Sequence, residues 1–279
     1  MKINFIETKN VITKSNIPDI DYVINPYIGC QHGCIYCYAE YMKRFTNHSG
    51  EKWGEFLDIK QVNLETIKPE KYNGKTILIS SVTDPYIPLE MKYKNTRRIL
   101  EQLIGTTAKI SILTKSRFVV RDIDLFKRLD NVHVGISINT LDTELAKEIE
   151  PLASKLVDRI RSIEEIKKNN IITYVFISPI FPEITDYKEI ISETREFTDY
   201  YLFENLNFRS HNISRILKLI ENHFPEKLDF YEKLRKNSTY WDYLKLEIKK
   251  YCKIHNIDFR IEFHHGGFTK KEKEKERVF

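Results

Sequence analysis

Two hydrophobic rhythms alternate along the chain: short apolar runs bounded by turn residues, and longer stretches with apolar positions every three or four residues. The first kind reads as buried strand and the second as amphipathic helix. Strands are predicted over residues 22–28, 76–80, 109–113, 132–138, 172–177 and 200–206. Helices are predicted between them at 95–104, 121–129, 153–169 and 187–197. The first of these has Ile99, Leu100, Leu103 and Ile104 at helical spacing, with Gly105 as its stop. Such alternation predicts an α/β fold with a parallel sheet covered by helices, here a partial (β/α)6 TIM-type barrel.

The flanks break the rhythm. Residues 1–21 read as an arm whose Ile3, Phe5 and Ile6 cover a barrel end. The stretch 46–72 carries Trp53, Phe56, Leu57 and Ile59 among polar residues, and reads as an excursion with a short strand at 55–60 and a short helix. Beyond Phe208 come helical segments at 212–223, 227–236 and 240–256, a C-terminal helical extension. Trp241, Leu244, Ile248 and Tyr251 form a core stripe in the last of them. The alternating run 257–263 adds an edge strand. His264 and His265 would point to opposite faces of an extended segment, which suits a rim position rather than one shared metal. The mixed-charge stretch 270–277 reads as a solvated end. With no internal repeat or low-complexity linker, 1–279 reads as one domain: a core at about 16–208, helices and edge strand at about 209–265, and a tail at 266–279.

Composition narrows the classes. The 16 Tyr and 16 Phe exclude a largely disordered chain. Lys and Arg number 45 against 40 Asp and Glu, a mild basic excess that admits a nucleic-acid partner without requiring one. No apolar run is long enough to span a membrane, and the start is too short and polar for a signal peptide. Of four cysteines three share one loop, and Cys252, in a helical stretch, reads as a packing residue. A disulfide framework is therefore not expected, which favours a reducing cytoplasm.

The chemistry gathers at NPYIGCQHGCIYCYAEYMKRF, residues 25–45, where Cys30, Cys34 and Cys37 are spaced C-x3-C-x2-C after the first strand. Three thiolates from one loop can each hold one iron of a four-iron cluster, leaving the fourth iron open. Three zinc-binding cysteines, with His32 or His48 as fourth ligand, are the alternative; structural zinc sites usually come as two separated pairs, and no second pair exists here. The other strands end in polar side chains: Ser80, Ser81, Thr83 and Asp84; Thr114, Lys115 and Ser116; Ser137, Asn139 and Thr140; Ser178; Glu204, Asn205 and Asn207. Barrels of this kind build active sites at the C-terminal ends of their strands, so one face collects the cysteine loop and these groups.

The cysteine spacing, with aromatic Tyr36 before the last cysteine, resembles the radical S-adenosylmethionine (SAM) superfamily. The stretches SSVTDPYIPLE (80–90), ILTKS (112–116), SINT (137–140) and SPIFPEITD (178–186) resemble its spore photoproduct lyase branch. With KRFTNH, WGEFLDIK and ENLN they are most similar to the B-type members of the radical SAM mobile-pair group, across essentially the whole chain. The resemblance implies a [4Fe–4S] cluster on Cys30, Cys34 and Cys37. It implies SAM chelated at the open iron and cleaved reductively to a 5′-deoxyadenosyl radical that abstracts hydrogen from a substrate, with a nucleic-acid lesion or base among the candidates. It places Tyr36 near the adenine, Ser81 and Thr83 near the SAM amino group (in place of the commoner Gly-Gly-Glu), and Lys115 and Ser137 near the carboxylate and ribose. Asn139 is a further contact. An external electron donor of flavodoxin or ferredoxin type is implied, and a second radical SAM protein is a candidate partner. Arg159 reads as an outer salt-bridge partner.

The branch returns a hydrogen atom to its product from a cysteine near the end of strand two, assisted by two tyrosines. Tyr36 and Tyr38 match the tyrosines and are the candidate catalytic residues, with Asp84 or Glu204 facing the substrate. The cysteine position falls at or next to Ser81, whose O–H bond is too strong to donate hydrogen readily. Two other readings stay open: a zinc-binding, nucleic-acid-binding module, and a cluster-bearing subunit active only with a paired radical SAM protein.

Overall fold

A computed structural model describes residues 1–234 and 239–263; the expected rim position of His264 and His265 and the solvated tail lie outside these. The strands are β1 Lys2–Thr8, β2 Ile12–Lys14, β3 Tyr22–Ile24, β4 Tyr27–Ile28, β5 Phe56–Val62, β6 Thr76–Ile79, β7 Lys109–Thr114, β8 Val132–Ser137, β9 Ile172–Ile180, β10 Tyr200–Asn205 and β11 Phe259–Ile261. The α-helices are α1 Glu90–Tyr93, α2 Asn95–Gln102, α3 Ile123–Phe126, α4 Thr143–Ile149, α5 Leu156–Lys168, α6 Tyr187–Thr194, α7 Ile213–His223, α8 Leu228–Leu234 and α9 Thr239–Ile254.

The main sheet runs β11-β10-β9-β8-β7-β6-β3-β2, parallel throughout except for β2, which is antiparallel to β3. The strands predicted from the apolar runs, β3 and β6 to β10, lie side by side in chain order, the strand–helix arrangement of a partial barrel. β6 and β7 alternate buried and half-buried residues, whereas central β8 is buried almost throughout, as a strand covered on both faces must be. Side chains cap the crossover helices: Asp142 accepts from the first N–H groups of α4, and Asp186 from those of α6. Cys252, on α9, is fully buried as a packing residue.

Three expectations need correction. The run 22–28 is two strands: Pro26 has no N–H for the ladder, and past it β4 leaves the main sheet to pair antiparallel with β5. The N-terminal arm is itself a strand, β1, parallel to β5 in a second sheet ordered β1-β5-β4. Its pleat turns Asn4, Ile6 and Thr8 inward and leaves Ile3 and Phe5 exposed, so those two do not cover a barrel end. The helix expected at 153–169 begins at Leu156, and α4, which was not expected, precedes it. The cysteine loop thus leaves β4 between two packed regions. Cys34 and Tyr36 belong to the large core, and Cys30 to a smaller one with Tyr27, Trp53, Phe56 and Ile59.

Candidate active site

The loop takes its shape from backbone that only glycine adopts easily. Gly29 has φ +88°, and a Cβ there would lie 2.6 Å from the Phe56 carbonyl oxygen. The loop's side chains anchor it to the strand ends. Thr83 Oγ1 donates to the Gly29 carbonyl at 2.6 Å, and Gln31 Oε1 accepts from the Leu89 N–H at 2.8 Å. His32 lies between the Leu152 carbonyl (3.1 Å) and Asp84 Oδ2 (3.2 Å).

Cys30, Cys34 and Cys37 are free thiols. Burial pushes the Cys30 thiol well up, and Asp84, Cys34 and Cys37 push the same way. Burial and Glu150 raise Cys34, while Lys115 opposes them. Cys37 is pushed up to about 11 by burial, and the Ala39 N–H, Lys115 and the Trp53 indole all favour its thiolate. The indole N–H of Trp53 is buried beside Cys37 without a hydrogen-bond partner of its own. Among the described residues no three Cys, His, Asp or Glu side chains converge on a single-ion site. His48, the other histidine considered for zinc, is held by Asp58 Oδ2 at 2.9 Å and stacks on Phe56. Three thiols on one loop are a donor set that a four-iron cluster, taking each thiolate on a separate iron, could use.

Two charged networks meet the loop. In the first, burial opposes ionisation of Asp84, yet His32, the Thr114 hydroxyl (2.6 Å) and the Lys115 N–H (2.8 Å) hold its pKa down to about 2. In the second, Glu150 is fully enclosed and accepts from the Tyr36 hydroxyl and from Asn139 Nδ2 at 3.2 Å. The guanidinium of Arg159 lies 2.5 Å from its other oxygen. Burial alone would raise the Glu150 pKa, but Arg159 and Lys115 hold it below the usual value. Lys115 stays cationic for the same reason: burial works against its charge, and Glu150, Cys34 and Asp84 more than restore it. Its ammonium lies 5.8 Å from the centre of the Tyr36 ring. Arg159 is therefore no outer partner. It is 1 % exposed, and it also donates to the carbonyls of Ser137 (3.1 Å) and Ser154 (2.8 Å), because α5 packs directly on β8.

The remaining candidates fall into two groups. Tyr36, Lys115 and Asn139 gather around Glu150, and Asn139 keeps a buried, unpartnered Oδ1. Ser81 and Tyr38 meet at the end of β6. The Tyr38 hydroxyl donates to the Ser81 carbonyl, and Asn25 accepts from the Ser81 and Val82 N–H groups at 2.9 and 3.1 Å. The hydroxyls of Thr83 and Ser137 already donate to protein carbonyls, Gly29 and Ser178 respectively, and Ser137 is fully buried.

Sequence reasoning missed a clasp. His211 Nε2 lies 3.3 Å from the Cys37 carbonyl, Asn212 Nδ2 donates to the Tyr36 carbonyl at 2.8 Å, and Arg215 Nε donates to the Ile35 carbonyl at 3.1 Å. Three successive carbonyls of the loop are thus held by the segment after β10. The only signal was a polar cluster, RSHNISR at 209–215, where the strand rhythm stops.

The profile of the radical SAM superfamily matches residues 24–197, more than half of the chain, from the strand before the cysteine loop through α6. The chain belongs to the radical SAM superfamily. Membership implies SAM cleavage and radical chemistry, and the cofactors of the family are a [4Fe–4S] cluster and SAM. An uncharacterized protein from Methanocaldococcus jannaschii is 41% identical over 246 residues, covering 88% of this chain and 92% of that one. The radical SAM Nalpha-GlyT isomerase of Pseudomonas phage M6 is 26% identical over 76% of this chain, which spans 42% of the phage protein. Among solved structures, spore photoproduct lyase complexed with dinucleoside spore photoproduct superposes with a TM-score of 0.58 at 16% identity, over 80% of this chain and 66% of the lyase. That likeness shows the radical SAM fold. Among the described residues, no helix is long and apolar enough to cross a membrane.

Proposed function

We propose that this radical SAM protein is an enzyme holding its cluster on Cys30, Cys34 and Cys37, and that it abstracts hydrogen from a nucleobase-containing substrate. The observation that carries the reading is that cationic Lys115, at the C-terminal end of the parallel strands, lies within the field of Cys34 of the three-cysteine loop and of Asp84 and Glu150. When bound, the cluster and SAM supply the electron transfer and the radical.

The chain's own part is placement and charge. Trp53 and Lys115 favour thiolates at Cys37 and Cys34, which must lose protons on binding metal. Lys115 offers a charged donor to the SAM carboxylate. Glu150 orients Tyr36 through its hydroxyl, and the Tyr36 ring would flank SAM when it binds. Tyr38, Ser81 and Glu204 mark the substrate side, Glu204 being bound by the Ser178 hydroxyl at 2.5 Å. Cys252 is sealed inside the packing of α9, so it is no substitute for a thiol at Ser81. An electron donor of flavodoxin or ferredoxin type completes the cycle. The nucleobase draws support from the dinucleoside complex of spore photoproduct lyase.

The test is anaerobic. After reconstitution with iron and sulfide, the protein given dithionite and SAM should form 5′-deoxyadenosine, and Cys34→Ala should abolish it. Zinc without iron, or undiminished product from Cys34→Ala, would overturn the reading.

A further inference from the structure

Tyr38, Tyr41 and Phe45 form an aromatic row along the 3-10 helix Tyr38–Phe45, which leads outward from the last cysteine. They are 39%, 37% and 74% exposed. The Tyr38 and Tyr41 rings lie 6.5 Å apart and within 20° of parallel, and Phe45 meets Tyr41 edge-on at 6.1 Å. Single exposed aromatics are ordinary, but three in contact form an apolar patch that calls for a partner.

Charges of both signs flank the row. At its inner end the Tyr38 hydroxyl is bound to the Ser81 carbonyl, and the carboxylate of Glu204 acts on it. Along the same helix Lys43 and Arg215 both reach Glu40, at 3.6 and 2.5 Å, so two cations surround one carboxylate. Exposed Arg44 adds a third positive charge, and the local balance is positive. A polyanion whose uncharged bases meet the rings while its phosphates meet the cations matches this balance. An apolar small molecule has no use for the cations.

We infer that this row is a stacking platform for the single-stranded stretch of nucleic acid flanking the reacting nucleotide. Tyr41 and Phe45 present exposed ring surface to the bases, and Lys43 and Arg44 supply countercharge for the phosphates. The inference rests on the nucleobase reading of the site and extends it from one base to a strand.

The test uses the anaerobically reconstituted full chain and fluorescein-labelled, mixed-sequence oligonucleotides of about 12 nucleotides, single-stranded DNA and RNA separately, read by anisotropy. Tyr41→Ala and Phe45→Ala should each weaken binding roughly tenfold, and Tyr41→Trp should restore it. Substrate-free cleavage of SAM should stay unchanged in all three variants, which also reports that they are folded. If wild-type protein binds oligonucleotide and the alanine variants bind within about twofold of it, the platform is refuted while the nucleobase reading survives. If wild-type protein cleaves SAM but binds neither DNA nor RNA, the platform is likewise refuted. If the variants keep oligonucleotide affinity but lose reduction by a flavodoxin, the row is a docking face for an acidic protein and the inference is overturned.

Discussion

Replacing Arg159 by Met tests whether the enclosed ion pair beside the cysteine loop holds the site together. Arg159 is 1 % exposed and Glu150 2 %, so neither charge can recruit bulk water when its partner is lost. Removing one member of such a pair typically costs about 3–5 kcal/mol. Glu150 keeps the Tyr36 hydroxyl, the Asn139 amide and the field of Lys115, which puts the expected loss near the lower end, about 3 kcal/mol. For a chain of this size that is a fall in Tm of about 6–12 °C. Circular dichroism melting of the reconstituted protein at neutral pH measures it. The double variant Glu150→Gln/Arg159→Met removes both charges and should melt above the single one, because no carboxylate is then left buried without its partner. A double variant no more stable than Arg159→Met would refute the argument that the stranded charge, rather than lost packing, sets the penalty.

Two further outcomes follow from local geometry and titration. Gly29→Ala forces a side chain into φ +88° with its Cβ 2.6 Å from the Phe56 carbonyl, a strain of about 1–3 kcal/mol on the cysteine loop. Iron bound after reconstitution should drop steeply in Gly29→Ala and stay at the wild-type level in Gly50→Ala, where a Cβ meets nothing within 4 Å; equal iron in both variants would contradict this. His133, whose Nδ1 lies 3.0 Å from the Tyr200 hydroxyl, has its pKa lowered to about 4 by burial and then by Lys109. The unfolded chain, with histidine near 6.5, binds the extra proton first, so this residue makes stability fall as pH drops from about 6.5 to 4. His133→Gln should flatten that part of the Tm–pH profile, and an unchanged slope would exclude the assignment.

The parallel strands were legible because each is a short apolar run with turn residues at its ends. Val132–Ser137 and Tyr200–Asn205 lie where the pattern put them. The second sheet was not legible, since β1 and β5 find each other across 54 residues and nothing local in KINFIET says so. The cysteine loop announced itself by spacing alone. Glu150 and Arg159 did not, because a charged pair reads as surface until the fold closes over it. The residues that clasp the loop were hidden for a different reason: their partners are backbone carbonyls, which carry no sequence signature.

That clasp sets an order of events in the making of the protein. His211, Asn212 and Arg215 bind carbonyls 174 to 180 residues upstream, so they are still inside the ribosome, or not yet made, when the three thiols emerge. Chains grow at about 5–20 residues per second, which leaves the loop unclasped for roughly ten to thirty seconds of synthesis. Until then the three thiols sit on a loop whose backbone is only partly held, and its final shape waits for residues 211–215 to leave the ribosome.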